Sequence, residues 1–590
     1  MTIPTFLNNP PRYLFFTGKG GVGKTSIACA AALELVDAGK RVLLVSTDPA
    51  SNIGQVFGQE VGNRMVPING VPGLTAMEID PEEAVVQYRE RVIGPLRGVV
   101  PDEEIRAVTE SLSGSCTTEI ASFNEFTGLL TDRTLASQYD HILFDTAPTG
   151  HTIRLLRLPG SWSDYLERGR GDASCLGPMA GLDRQKTVYA EAVEALASPD
   201  LTRLVLVSRP QRSALAEIGR THEELADIGL TQQHVVINGV MPESEAADQL
   251  AASIREREQA ALADRPANIT GLPTDSIPLR SRNMVGVEAL KTLFAGEQLR
   301  ERSAAPDDAV SLPPLGTLVD ELAGTDHGLI MLMGKGGVGK TTMAAAIAVA
   351  LARAGKKVHL TTTDPAAHLN DTLQGHVEGL TVSRIDPETE LRAYQERVMR
   401  TKGAKLDEEG RALLVEDLRS PCYEEVAVFE AFSKAVRESR RQFVVLDTAP
   451  TGHTLLLMDT TGAYHREITR QMTGGTSFQT PLMRLQDPES TKVIFTTLAE
   501  TTPVLEAEVL QKDLARADIV PWAWVVNNSL LAAQPSSPLL RARADSERPQ
   551  VERVANDLAP RHAVVPLLHE EPVGVEALEA LVQASPVATT

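Results

Sequence analysis

Short runs of β-branched and apolar residues recur along this chain, each followed by a longer stretch rich in alanine, leucine and glutamate. In the first half the runs are Tyr13–Thr17, Val42–Ser46, Ile142–Phe144, Leu204–Ser208 and Val235–Asn238. In the second half they are Leu329–Met333, Val358–Thr362, Phe443–Leu446, Val493–Thr497 and Trp524–Asn527. Continuous apolar runs, as opposed to an alternating pattern, predict strands covered on both faces, as in parallel sheets. The stretches Thr25–Ala38 and Thr341–Ala354 predict helices directly after the first strand of each half. The expected fold is α/β, two tandem doubly wound domains that bind phosphates beyond the ends of their strands.

The motifs repeat with the strands. Gly-Lys-Gly-Gly-Val-Gly-Lys-Thr at 18–25 returns at 334–341, Thr-Asp-Pro-Ala at 47–50 returns at 363–366, and Asp-Thr-Ala-Pro-Thr-Gly-His-Thr at 145–152 returns at 447–454. The first two copies lie 316 positions on and the third 302, so the second half has lost residues between motifs while keeping their order. A Ser/Ala/Pro/Asp-rich segment at 297–326 reads as the linker between domains 1–296 and 327–590. Two similar domains on one chain predict a pseudo-twofold dimer.

Composition narrows the partners. With 57 basic against 78 acidic residues the net charge is −21, and no Lys/Arg-rich block is long enough to make a basic face, which argues against nucleic acid or anionic lipid as a partner. Neither a signal peptide nor a span long enough to insert in a membrane is evident, so a cytoplasmic location is expected. Four cysteines in 590 residues, with no CxxC pair, argue against a disulfide framework and against a cysteine-only structural zinc site within one chain.

Gly-x-x-x-x-Gly-Lys-Thr between a strand and a helix is the setting of a phosphate-binding loop. Gly18, Gly20, Gly21, Val22 and Gly23 with Thr25 and Ser26, and Gly334, Gly336, Gly337, Val338 and Gly339 with Thr341 and Thr342, would present backbone N–H groups and a helix N-terminus to the phosphates of ATP. Lys24 and Lys340 would neutralise β/γ-phosphate charge, and the Thr25 and Thr341 hydroxyls would hold Mg²⁺. Asp145 and Asp447 end apolar strands, where a carboxylate supports Mg²⁺ through water. Asp48 and Asp364 follow the second strand and would orient or deprotonate the attacking water, with helix capping before Pro-Ala as the alternative. Asn238 and Asn527 end late strands, where an amide can read the adenine edge and where asparagine is also a common turn residue. The additional loop lysines, Lys19 and Lys335, are not demanded by the general pattern. Their presence in both copies resembles the deviant Walker-A loop of one NTPase class, in which this lysine acts like an arginine finger on the nucleotide of the opposing domain.

Taken together, the tandem loops, the paired Asp-Thr-Ala-Pro-Thr-Gly-His-Thr segments and the cysteine spacing resemble the arsenical pump-driving ATPases over almost the whole chain. Aligning the halves sets Cys116 opposite Cys422, in Cys-Thr-Thr-Glu-Ile-Ala-Ser-Phe and Cys-Tyr-Glu-Glu-Val-Ala-Val-Phe. The resemblance implies an As(III)/Sb(III) site in which Cys116, Cys422 and the unpaired Cys175 supply soft thiolates. It also implies secondary ligands in His151, His453 and the residue matching Ser420. Cys29, among alanines on the helix after the first loop, reads as core.

That family's members drive arsenite or antimonite efflux through a membrane channel protein, which would hold this chain at the inner face of the membrane. A metallochaperone delivering the metalloid would be a further partner. The competing reading is an ATP-dependent targeting chaperone for tail-anchored membrane proteins, whose groove needs methionine- and leucine-rich helices and whose dimer shares zinc between CxxC pairs. This chain lacks CxxC, and its 13 methionines are scattered. An iron–sulfur carrier would need four cysteine ligands at one site, against two symmetric cysteines. The loops after the second strands differ, Ser51-Asn52 against Ala367-His368, so the two nucleotide sites are expected to be inequivalent.

Overall fold

All ten apolar runs form strands in the computed structural model, which describes residues 3–47, 53–94, 97, 100–101, 105, 115–146, 182–295, 310–364, 369–418, 422–448 and 480–584. The chain divides into two units, Met1–Arg300 and Glu301–Thr590. In the first, β1 (Tyr13–Thr17), β2 (Val42–Ser46), β3 (Val66–Pro67), β4 (Leu74–Glu78), β5 (His141–Asp145), β6 (Thr202–Ser208), β7 (Gln233–Val240) and β8 (Thr274–Pro278) form one sheet in the order β3-β4-β2-β5-β1-β6-β7-β8. All its pairings are parallel except β3 with β4.

The second unit repeats this with seven strands: β9 (Gly328–Met333), β10 (Val358–Thr362), β11 (Leu380–Val382), β12 (Phe443–Asp447), β13 (Thr491–Leu498), β14 (Pro521–Ser529) and β15 (His562–Pro566). Their order is β11-β10-β12-β9-β13-β14-β15, parallel throughout.

The central strands are apolar along most of their length because both faces are buried, with polar residues such as Thr17, Ser46 and Asp145 at their C-terminal ends. Leu14 and Phe16 pack in one core with the helix Lys24–Asp37, while Tyr13 and Phe15 pack in the core on the other face. Ile330 and Leu332 against Leu329, Met331 and Met333 divide in the same way. Fully burying a Phe or Leu contributes about 1.5–3 kcal/mol, so these two-sided strands hold each unit together. After β1 the chain moves to β2 on one side and later to β6 on the other, and likewise from β9 to β10 and β13. Strand order therefore reverses beside each glycine-rich loop, where open α/β sheets bind ligands.

Compositional reading places too much of the chain in the linker. Within 297–326, Leu315–Ala323 is a helix whose Leu315, Leu318, Val319 and Leu322 are buried in the second unit's core. Pro313-Pro314 ahead of it reads as linker punctuation, yet proline is well placed at a helix start. Among the described residues no helix is long and apolar enough to cross a membrane.

Candidate functional site

Both glycine-rich loops turn sharply from a central strand into a buried helix, Lys24–Asp37 or Lys340–Arg353. Gly23 and Gly339 cap these helices with φ of 92°, a left-handed conformation that disfavours any side chain. A Cβ at either would overlap the side-chain amide nitrogen of Asn238 or Asn527. The close approach is functional in its own right: Asn238 Nδ2 donates to Val22 O at 2.9 Å, and Asn527 Nδ2 donates to Val338 O at 2.9 Å. These amides tie the loop to β7 or β14. Gly339→Ala is expected to cost about 1–3 kcal/mol of stability from strain and displacement of Asn527, and to weaken nucleotide binding. Urea unfolding and nucleotide titration check this; an unchanged midpoint and affinity would mean the loop absorbs a Cβ.

Lys24 and Lys340 are buried, about 6% and 5% exposed, with Nζ donating to Lys19 O at 3.4 Å and Lys335 O at 2.9 Å. One residue on, Thr25 Oγ1 donates to Asp145 Oδ2 at 2.6 Å and Thr341 Oγ1 to Asp447 Oδ2 at 2.7 Å. Parallel pairing of β1 with β5 and of β9 with β12 brings each aspartate beside its loop. Both are fully buried. Burial pushes Asp447 up to about 6; Asp364 adds to the rise, and Thr341, Lys340 and Thr362 oppose it.

Among the described residues Asp447 Oδ1 has no hydrogen-bond partner. A buried oxygen without a donor, beside a threonine hydroxyl, is a hard-donor setting that fits Mg²⁺. Thr362 connects the group: its Oγ1 donates to Asp447 Oδ2 at 3.1 Å and accepts from Asp364 N at 3.0 Å. Asp364 therefore stands half-buried next to the strand-end carboxylate, while Asp48 lies outside the described residues.

A family model described as anion-transporting ATPase matches residues 11–298, 327–485 and 477–585. The chain belongs to the anion-transporting ATPase family. An "Arsenical pump-driving ATPase" of Acidiphilium multivorum is 60% identical over 580 residues, which cover 98% of this chain and 99% of that protein. One of Escherichia coli is 60% identical over 582 residues, covering 98% and 100%. "ATPase GET3" of Meyerozyma guilliermondii is 32% identical over 255 residues, covering 39% of this chain and 73% of its own. The chain is accordingly an ATPase with tandem P-loop domains, and the two sites just described lie at its P-loops.

In this anion-transporting ATPase the two cysteines set opposite each other by aligning the halves fall at the starts of helices. Cys116 is the second residue of Ser115–Thr131 and Cys422 the first of Cys422–Glu438. Cys175, His151, His453 and Ser420 lie outside the described residues. Cys29 is fully buried in the first core, and burial pushes its thiol well up, with Asp145 and Glu78 adding to the rise.

Sequence reasoning did not find Thr362, whose only signal is a hydroxyl two residues before Asp364. It also missed Glu547, which accepts from Ser529 Oγ at 2.9 Å, Leu530 N at 3.1 Å and Leu531 N at 3.0 Å, fixing the chain just beyond Asn527. Burial pushes Glu547 up to about 7 against those donors and Arg543. A third missed residue is Glu506, on the helix Thr501–Arg516, which forms an ion pair with Lys335.

Proposed function

We propose that this chain hydrolyses ATP under the control of As(III) or Sb(III) and thereby energises export of arsenite or antimonite through a separate membrane channel protein. The observation that carries the reading is the placement of Cys116 and Cys422 at the starts of corresponding helices in two repeated nucleotide-binding units. Arsenical pump-driving ATPases 60% identical over nearly the whole chain add to it. The targeting-chaperone alternative rests on a 32% match to 39% of the chain. Cys116, Cys175 and Cys422 supply thiolates to a soft, three-coordinate ion, with His151, His453 and Ser420 as secondary ligands. The channel partner would hold the protein at the inner face of the membrane, and a metallochaperone is the proposed donor of the metalloid.

At each loop, Lys24 or Lys340 turns from the loop carbonyl to the β/γ-phosphates, exchanging a neutral acceptor for an anionic one. Thr25 with Asp145, and Thr341 with Asp447, would hold Mg²⁺, which when bound neutralises charge on the β- and γ-oxygens. Asp364, and Asp48 in the first half, orient the attacking water and take its proton. Asn238 and Asn527, while bracing the loops, also face the base. Lys19 and Lys335 bring positive charge to the nucleotide of the other half.

The test is the ATPase rate of the purified chain with and without antimonite. Sb(III) is expected to raise it, and Cys422→Ser to remove most of that stimulation while basal hydrolysis survives, because two thiolates hold a soft ion far less well than three. Equal stimulation of both proteins would overturn the ligand assignment.

A further inference from the structure

The two additional loop lysines are held differently, and a single position on a neighbouring helix accounts for it. Lys335 Nζ pairs with Glu506, and both side chains are largely shielded, about 22% and 11% exposed. The strand registers fix what corresponds in the first unit. Leu206 lies opposite Thr17, one residue before Gly18, and Phe495 lies opposite Met333, one residue before Gly334. Carrying that equivalence forward along β6 and β13 into the helices Arg212–Asp227 and Thr501–Arg516 sets Glu217 on Glu506 and Arg220 on Val509.

Both halves thus carry a glutamate at the place from which the second half holds its lysine. In the first half that carboxylate is engaged by Arg220, one turn along its own helix. In the second half the competing position is Val509, 52% exposed and without charge, and Glu506 pairs with the loop lysine instead. Among the described residues Lys19 has no ion-pair partner.

We infer that Glu506 is a positioning residue that retains Lys335 within its own half, so that this lysine reaches a nucleotide only by giving up a shielded ion pair, whereas Lys19 is not so restrained. The inference rests on the reading above that Lys335 acts on the phosphates of the opposite site. A triphosphate competes with the carboxylate for the ammonium, so the pair opposes engagement without preventing it. It lowers the population of the competent form, and the observed rate falls by that fraction. The site served by Lys335 is then the restrained one at rest, and a stimulating ligand has that restraint to overcome.

Glu506→Gln keeps the shape of the side chain and removes its charge. It is expected to raise turnover without metalloid at least about tenfold, by the usual size of a hydrogen bond between charged groups, and to shrink the stimulation by Sb(III) by the same factor because the ceiling is unchanged. Val509→Arg, at an exposed position, gives Glu506 the competitor that Glu217 has, and should act in the same direction with Glu506 intact. Arg220→Val should act oppositely, freeing Glu217 to hold Lys19. The double variant Lys335→Ala/Glu506→Gln should match Lys335→Ala alone, since the glutamate acts through the lysine. An increase of equal size in the Lys335→Ala background, or no increase from either Glu506→Gln or Val509→Arg, overturns the inference. Should Lys335→Ala alone leave turnover unchanged, the failure lies in the phosphate role of Lys335, and the positioning role falls with it.

Discussion

Lys340→Ala is expected to lower ATP turnover at the second loop by about 10²- to 10³-fold, the usual cost of losing one preorganised charge aimed at the transferring phosphoryl group. The ammonium is buried at the loop, 2.9 Å from Lys335 O, with the helix Lys340–Arg353 fixing its stem, so little reorganisation is needed to meet the phosphates. Loss of the charge has a second consequence. Lys340 is one of the groups that hold Asp447 down against burial, so its removal lets that carboxyl rise further and bind a proton in place of a cation at neutral pH. The defect should therefore ease somewhat as pH increases. Lys24→Ala should damage the first loop in parallel, beside Thr25 and Asp145. Single-turnover hydrolysis by each variant and by the double variant measures both losses. Turnover within a factor of three of wild type in the double variant would remove these lysines from the chemistry.

How much of this was legible in the sequence depended on whether burial or partnership made the residue. Strands β1, β2 and β10 match their runs end to end, because strands covered on both faces are buried almost throughout and their apolar and β-branched residues stand out from the polar segments around them. Edge strands are harder: β8 shows Thr274, Asp275 and Ser276 to one neighbour only and buries just Ile277, leaving no run to read. The loops were legible because only glycine tolerates the turn at Gly23 and Gly339. Asn238 and Asn527 were found as strand-end amides, yet their bonds to Val22 O and Val338 O could not be, since a tie across more than 180 residues leaves no local pattern. Thr362, Glu506 and Glu547 were missed because their residue types carry no signal of their own. A threonine in a strand and a glutamate on a helix are the commonest of residues, and what distinguishes these is the aspartate, the lysine or the bare N–H that the fold sets beside them.

Asp447→Asn is expected to make the protein more stable and its second loop nearly inactive, and the pH dependence of the gain identifies the cause. The carboxyl protonates at about 6 in the folded chain, against 3.8 ordinarily. Between those values the folded state binds the proton and the unfolded state does not, so stability falls as pH rises through this window, and above it the full cost of a buried charge is present. Relative to a neutral side chain that cost is about 3 kcal/mol at pH 8 and about half that at pH 5. An asparagine can still accept from Thr341 and Thr362, and it places an N–H₂ where Asp447 has an oxygen without a donor. Urea unfolding without nucleotide or Mg²⁺, followed by the fluorescence to which Trp522 and Trp524 of the same sheet contribute, should show the variant's advantage shrinking from pH 8 to pH 5. Adding Mg²⁺ with a non-hydrolysable nucleotide should reverse the ranking, because the carboxylate then has a cation to face and ligand binding at the second loop stabilises the wild type more than the variant. Turnover at the second loop, read in a Lys24→Ala background, should drop at least about 100-fold, in line with losing one electrostatic contact made in the transition state. A variant less stable than wild type at pH 8, or an advantage of the same size at both pH values, would mean that Asp447 holds the fold together and does not strain it for the sake of the cation.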